Sequence, residues 1–169
     1  MERERGQERL AAFGTELIAI HDHLRQELAT VRQSLQDGHH DGPGQVHSLA
    51  AHCLAFCSAL DQHHSGEDSS AFPALRQEFS DLAPVITKLE EDRALVASIL
   101  QRLNQLLGEL PTDPDAQDTV RVTGELDGPA AIIESHFTFE ERTIVTALDA
   151  LDRPDLTARS LFGISPDCR

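Results

Sequence analysis

Three long apolar seams in this chain are interrupted by residues that do chemistry. His21 falls between Leu17 and Leu24, His63 is followed four residues on by Glu67, and His136 is followed four residues on by Glu140. A histidine and a glutamate four apart lie one above the other on a helix, so both side chains can point at one ion from the same face. A carboxylate or imidazolium left unpaired in a helical core is costly, and native interiors avoid it unless a partner or a metal is present. Something must neutralise Glu67 and Glu140. Imidazole with carboxylate is the donor mixture suited to iron, zinc or manganese, and iron is the first expectation. His64 and Asp68 repeat the spacing of His63 and Glu67 one position later. A small helix rotation would exchange the pairs, and the seam favours His63 and Glu67.

Helices have to carry these groups. From about Glu8 to Leu35, apolar residues recur at Phe13, Leu17, Ile20, Leu24, Leu28, Val31 and Leu35, in steps of three and four. The glycine- and proline-bearing stretch Asp37 to Gly44 ends that helix. The second seam is Leu49, Cys53, Phe56, Leu60, His63 and Glu67, with a bend expected near Pro73. The third runs from about Leu82 to Leu110 along Ile86, Leu89, Arg93, Val96, Leu100, Leu103 and Leu107, with Pro84 tolerated in its first turn. The fourth follows the loop Pro111 to Asp115, is expected to bend or break near Gly128-Pro129, and continues through Leu126, Ile133, His136, Glu140, Ile144, Ala147 and Leu151. Short connections make sequence neighbours antiparallel neighbours, which gives an all-α, up-down-up-down four-helix bundle over 1–151. Residues 152–169 form a tail, a short helix or a frayed end.

Composition agrees and sets limits. Fourteen Lys and Arg against 29 Asp and Glu leave a net charge of −15, which repels nucleic acid and anionic membrane surfaces. The opening MERERGQERL is charged where a secretory leader would be apolar, and no run of about 18 apolar residues appears, so a cytoplasmic protein is expected. Three cysteines, two of them Cys53 and Cys57, read as buried thiols of a reducing compartment. His39, His40 and His47 are expected in solvent, His23 on a flank, and His52 near the second seam. Glu141 is expected either to face solvent or to support the site from behind.

The segments Ile20-His21-Asp22-His23-Leu24-Arg25, His63-His64-Ser65-Gly66-Glu67-Asp68 with Phe72-Pro73-Ala74-Leu75, and Glu134-Ser135-His136-Phe137-Thr138-Phe139-Glu140-Glu141-Arg142 together resemble the hemerythrin family, the His-His-Glu cation-binding domain. The resemblance covers roughly residues 15–151. It implies a four-helix bundle around a non-haem di-iron centre. Carried over by position, its metal ligands are His21, His63, Glu67, His136 and Glu140. The third helix departs: Leu89-Glu90-Glu91-Asp92-Arg93 stands where the family places a histidine, and the position four residues on is Ala97. A guanidinium has no lone pair to offer a metal. Two arrangements stay open: a pair of irons, the exposed one completed by water, Asp92 or Glu90, or a single iron held by some of the five groups. The two remaining carboxylates weigh towards the pair. Arg93 is expected to turn inward and pair with Glu67, Glu140 or a bound anion.

The function this implies is binding of, or reaction with, oxygen, peroxide or nitric oxide at the iron. Plain oxygen carriage is disfavoured by the altered third helix, and whether the chain is an enzyme is left open. The alternatives are a metal- or redox-responsive sensor or interaction module, and a bundle that no longer holds metal. Expected partners are a small diatomic or peroxide ligand and at most a second copy of the chain as a homodimer, without nucleic acid or membrane.

Overall fold

The computed structural model describes residues 13–36, 43–111 and 115–165, the side chains of 43–49 excepted, and these residues are predominantly helical with no strand among them. The long helices are α1 (Phe13–Gln36), α2 (Pro43–Gly66), α4 (Ala83–Gly108) and α5 (Ala116–Asp149), with the shorter α3 (Phe72–Glu78) and α6 (Ala158–Phe162) between and after them. The loop expected at Asp37 to Gly44 lies mostly outside the described residues, as do the side chains of His39, His40 and His47.

Each long helix buries the stripe its periodicity specifies. On α1 this is Phe13, Leu17, Ile20, His21, Leu24, Leu28, Val31 and Leu35, and on α4 it is Ile86, Leu89, Arg93, Val96, Leu100, Leu103, Leu106 and Leu107. Each fully buried Leu, Ile or Phe contributes about 1.5–3 kcal/mol, so the polar groups that share these stripes are held in place by their apolar neighbours. Paired side chains fix the directions. Gly14 N–H donates to Asp149, Arg25 reaches Glu134 and Arg32 reaches Asp127, so α1 and α5 run antiparallel. Arg93 reaches Glu140 and Arg102 reaches Glu125, which sets α4 antiparallel to α5. The result is the four-helix bundle expected.

Two local features differ from expectation. The bend near Pro73 takes the form of a π turn over Glu67–Ala71, directly after α2, with Pro73 in the first turn of α3 where no N–H is needed. The wider turn keeps Glu67, Ala71 and Phe72 all facing the core. The break expected at Gly128-Pro129 does not occur, because α5 is continuous through Pro129. Glu125, whose carbonyl loses its partner there, is exposed, so water can take the place of the missing N–H.

The chain after Leu151 contributes to the core. A capping box between Thr157 and Ser160 starts α6, and Gly163, at φ 70°, ends it. Leu161, Phe162 and Ile164 are buried. Here two backbones touch: a Cβ on Gly66 would lie 2.2 Å from the Gly163 nitrogen, and one on Gly163 would lie 2.0 Å from the Gln62 carbonyl oxygen. Only glycine at both positions permits that approach, and it lays the end of α6 over the end of α2. No helix among the described residues is long and apolar enough to cross a membrane.

Candidate metal centre

His21 on α1 and His63 on α2 meet at the level where the two seams turn polar, both wholly buried. Each ring is fixed from behind. His21 Nδ1 lies 2.9 Å from Glu141 Oε1, and His63 Nδ1 lies 3.0 Å from the Phe162 carbonyl oxygen. Both partners are acceptors, so each Nδ1 donates its proton to the group behind it, and Nε2 is the nitrogen each ring turns towards the centre. Those two Nε2 atoms face each other at 3.1 Å. Phe137 stacks on the His21 ring at 4.2 Å and holds its plane.

Two carboxylates close on the same point. Glu67 Oε1 is 3.4 Å from His63 Nε2, and Glu140 Oε2 is 3.6 Å from His21 Nε2. One donor atom from each of His21, His63, Glu67 and Glu140 lies within 4.8 Å of the others. Glu67 Oε1 and both oxygens of Glu140 are buried without a hydrogen-bond partner. Donor atoms bound to one ion at about 2.0–2.2 Å stand roughly 2.8–3.6 Å apart for octahedral to tetrahedral arrangements, and the neighbouring pairs at 3.1, 3.4 and 3.6 Å fall in that range. Imidazole nitrogens and carboxylate oxygens gathered at one buried point, with three of the oxygens unpartnered, are a donor set that suits a cation.

Arg93 turns inward, as expected from the third seam. Its guanidinium donates to Glu67 Oε2, to Asp68 and, at 3.1 Å, to the His64 carbonyl, and lies 3.7 Å from Glu140 Oε1. It rests on the Phe72 ring at 4.1 Å. Burial pushes Glu67 well above the ordinary carboxylate range, with Glu140 adding to the effect. Burial acts on Glu140 in the same direction, but His21 first, and with it the adjoining Glu67 carboxyl, Arg93 and His136, outweigh it and hold Glu140 low. Burial also lowers His63, to about 3, and lowers His64 and His136, so neutral rings are favoured.

His136 stands one step off the tight four. Its Nε2 is 3.5 Å from Glu140 Oε2, and neither ring nitrogen has a hydrogen-bond partner. It lines a cleft of about 380 Å³ between α4 and α5, with Lys88, Asp92, Val96, Ile132 and Phe139. Asp92 pairs with Lys88 there, and Glu90 pairs with Arg76. Neither of these two acids, expected as completing ligands, joins the four-residue group. Ala97 is at the surface, so the buried positions flanking Arg93 on α4 are Leu89 and Val96.

Of the alternatives one residue apart, Glu67 is buried while the Asp68 side chain is 53% exposed and bound to Arg93. His64 is nonetheless buried, with its Nε2 unpartnered and its ring edge-on to His136 at 5.2 Å. The sequence offered His64 with Asp68 only as a replacement for His63 with Glu67, whereas here His63, His64 and Glu67 are buried together. The Phe162 carbonyl was missed altogether, since a backbone oxygen carries no residue-type signal. His23 is half-buried and His52 exposed. Cys53 and Cys57 are buried free thiols.

Residues 14–148 match the family model described as the hemerythrin HHE cation-binding domain. Neither the curated proteins nor the solved structures gave a match.

Proposed function

Because the chain belongs to the hemerythrin HHE cation-binding family, we propose that it is a non-haem iron protein whose metal meets a small oxidant, with oxygen, peroxide or nitric oxide as the ligand class. The observation that carries this is the facing pair of His21 and His63 Nε2 atoms at 3.1 Å, with the Nδ1 atoms engaged by Glu141 and the Phe162 carbonyl. Two imidazoles and a carboxylate with positions left over form the donor set associated with iron(II) that reacts with oxygen species.

In this reading His21, His63, Glu67 and Glu140 hold the ion and His136 adds a fifth donor from the cleft side. Bound iron would supply a redox-active Lewis acid with room for one small ligand. The rest is done by the chain. Glu141 and the Phe162 carbonyl set the tautomer and orientation of the two histidines. Phe137, Phe72 and Phe162, all buried, exclude water around them. The cleft beside His136 gives a small molecule a route between α4 and α5, and Lys88 and Asp92 flank it with one charge of each sign.

The test is elemental analysis of protein produced with iron supplied, beside His63→Ala and His136→Ala, followed by near-ultraviolet spectra of the reduced protein on adding peroxide, nitric oxide or oxygen. Iron that co-purifies with the wild type, falls in both variants and changes its spectrum with one of these ligands supports the reading. A helical wild-type chain that retains no metal would sink it.

A further inference from the structure

Each inward carboxylate divides its two oxygens. Glu67 turns Oε1 to His63 and Oε2 to Arg93, while Glu140 turns Oε2 to His21 and His136 and leaves Oε1 3.7 Å from Arg93. The pair therefore has one side towards the histidines and another towards the guanidinium. Carboxylates split in this way lie between two cations, and one of the two is already part of the chain.

Arg93 is built into that position. It is 5% exposed, bonded to Glu67, Asp68 and the His64 carbonyl, and stacked on Phe72. A guanidinium stays charged at any pH a protein meets and offers no lone pair to a metal. A second ion on that side would have to displace Arg93 from Glu67 or sit against its positive charge. With Arg93 occupying that side, the two carboxylates keep only their histidine-facing oxygens for a metal, which makes room for a single divalent ion.

We infer that Arg93 is a resident second cation, and that this bundle binds one divalent metal ion per chain where its carboxylates would otherwise bridge two. The inference rests on the metal-binding reading above. It assigns Arg93 as a positioning residue that fixes how many ions enter.

Apoprotein titrated with cobalt(II) by calorimetry, with elemental analysis of the loaded chain, separates the outcomes. The wild type and Arg93→Lys should take one ion per chain, and Arg93→His should take two. Arg93→Gln, which keeps a hydrogen-bonding side chain but removes the charge, should bind its first ion at least about tenfold more tightly, since one repelling charge is gone. Two ions in the wild type would overturn the inference and leave the metal-binding reading standing. No ion in a wild-type chain with its full helical circular dichroism would overturn the reading itself. A folded Arg93→His chain that still takes one ion, or an Arg93→Gln chain that binds no more tightly, would show that Arg93 does not set the number.

Discussion

Replacing Gly163 by alanine tests how firmly α6 is docked and what that docking does. A non-glycine residue in the left-handed region costs about 1–2 kcal/mol. The added Cβ would also lie 2.0 Å from the Gln62 carbonyl oxygen, a backbone atom that cannot swing aside. The end of α6 must then lift, partly exposing Leu161 and Phe162, which are now fully buried, and stretching the bond from His63 Nδ1 to the Phe162 carbonyl. Partial loss of two such side chains and of one buried hydrogen bond brings the expected destabilisation to about 3–5 kcal/mol. Urea unfolding followed by circular dichroism measures it. Gly124→Ala is the control, because a Cβ there meets nothing within 4 Å, and it should stabilise by about 0.5–1 kcal/mol. The metal affinity of folded Gly163→Ala should fall roughly 10- to 100-fold, as for loss of a partner that orients a ligand. A stability loss below about 1 kcal/mol would refute the close approach. A large loss with unchanged metal affinity would refute the link to His63.

Glu141→Ala removes the acceptor behind His21 and should weaken metal binding by roughly 10- to 100-fold, whereas Glu141→Gln keeps an acceptor and should lose less; competition with a chromophoric chelator measures both. Asp115 and Asp118 form the capping box that starts α5, so Asp115→Ala should lower stability by about 1 kcal/mol in urea unfolding. Burial raises the Cys53 thiol to about 12 and the Cys57 thiol to about 11. Their alkylation at neutral pH, followed by peptide mass spectrometry, should be at least about 100-fold slower in the native chain than in urea. Because the folded values lie above the unfolded value of 9.0, the stability these thiols contribute is complete below pH 9.0 and is lost as the pH rises towards 11–12.

The sequence made the bundle legible because each long helix repeats its apolar residues at steps of three and four, and the stripe on α1 from Phe13 to Leu35 is buried as the spacing requires. His21, His63, Glu67 and Glu140 were legible for the same reason: they fall in register with leucines and phenylalanines, so burying the stripe brings them together. Arg93 could be placed inward from its seam, but its bonds to Asp68 and the His64 carbonyl depend on how α2 and α4 pack, which periodicity does not encode. The π turn at Glu67–Ala71 was visible only as a bend near proline. Pro129 suggested a break, and the helix passes through it on an exposed face. The acceptor behind His63 was out of reach, since it is a main-chain oxygen 99 residues away in sequence.

That long connection also orders events in time. A nascent chain can leave the ribosome with His21, His63, Glu67, Arg93 and Glu140 already made, and the bond that orients His63 from behind forms only once the peptide at Phe162 has emerged. Ion capture with every donor aligned is therefore reserved for a chain synthesised past Gly163, and a fragment stopped before Thr157 would carry all the acidic and imidazole groups yet lack the brace that aims one of them.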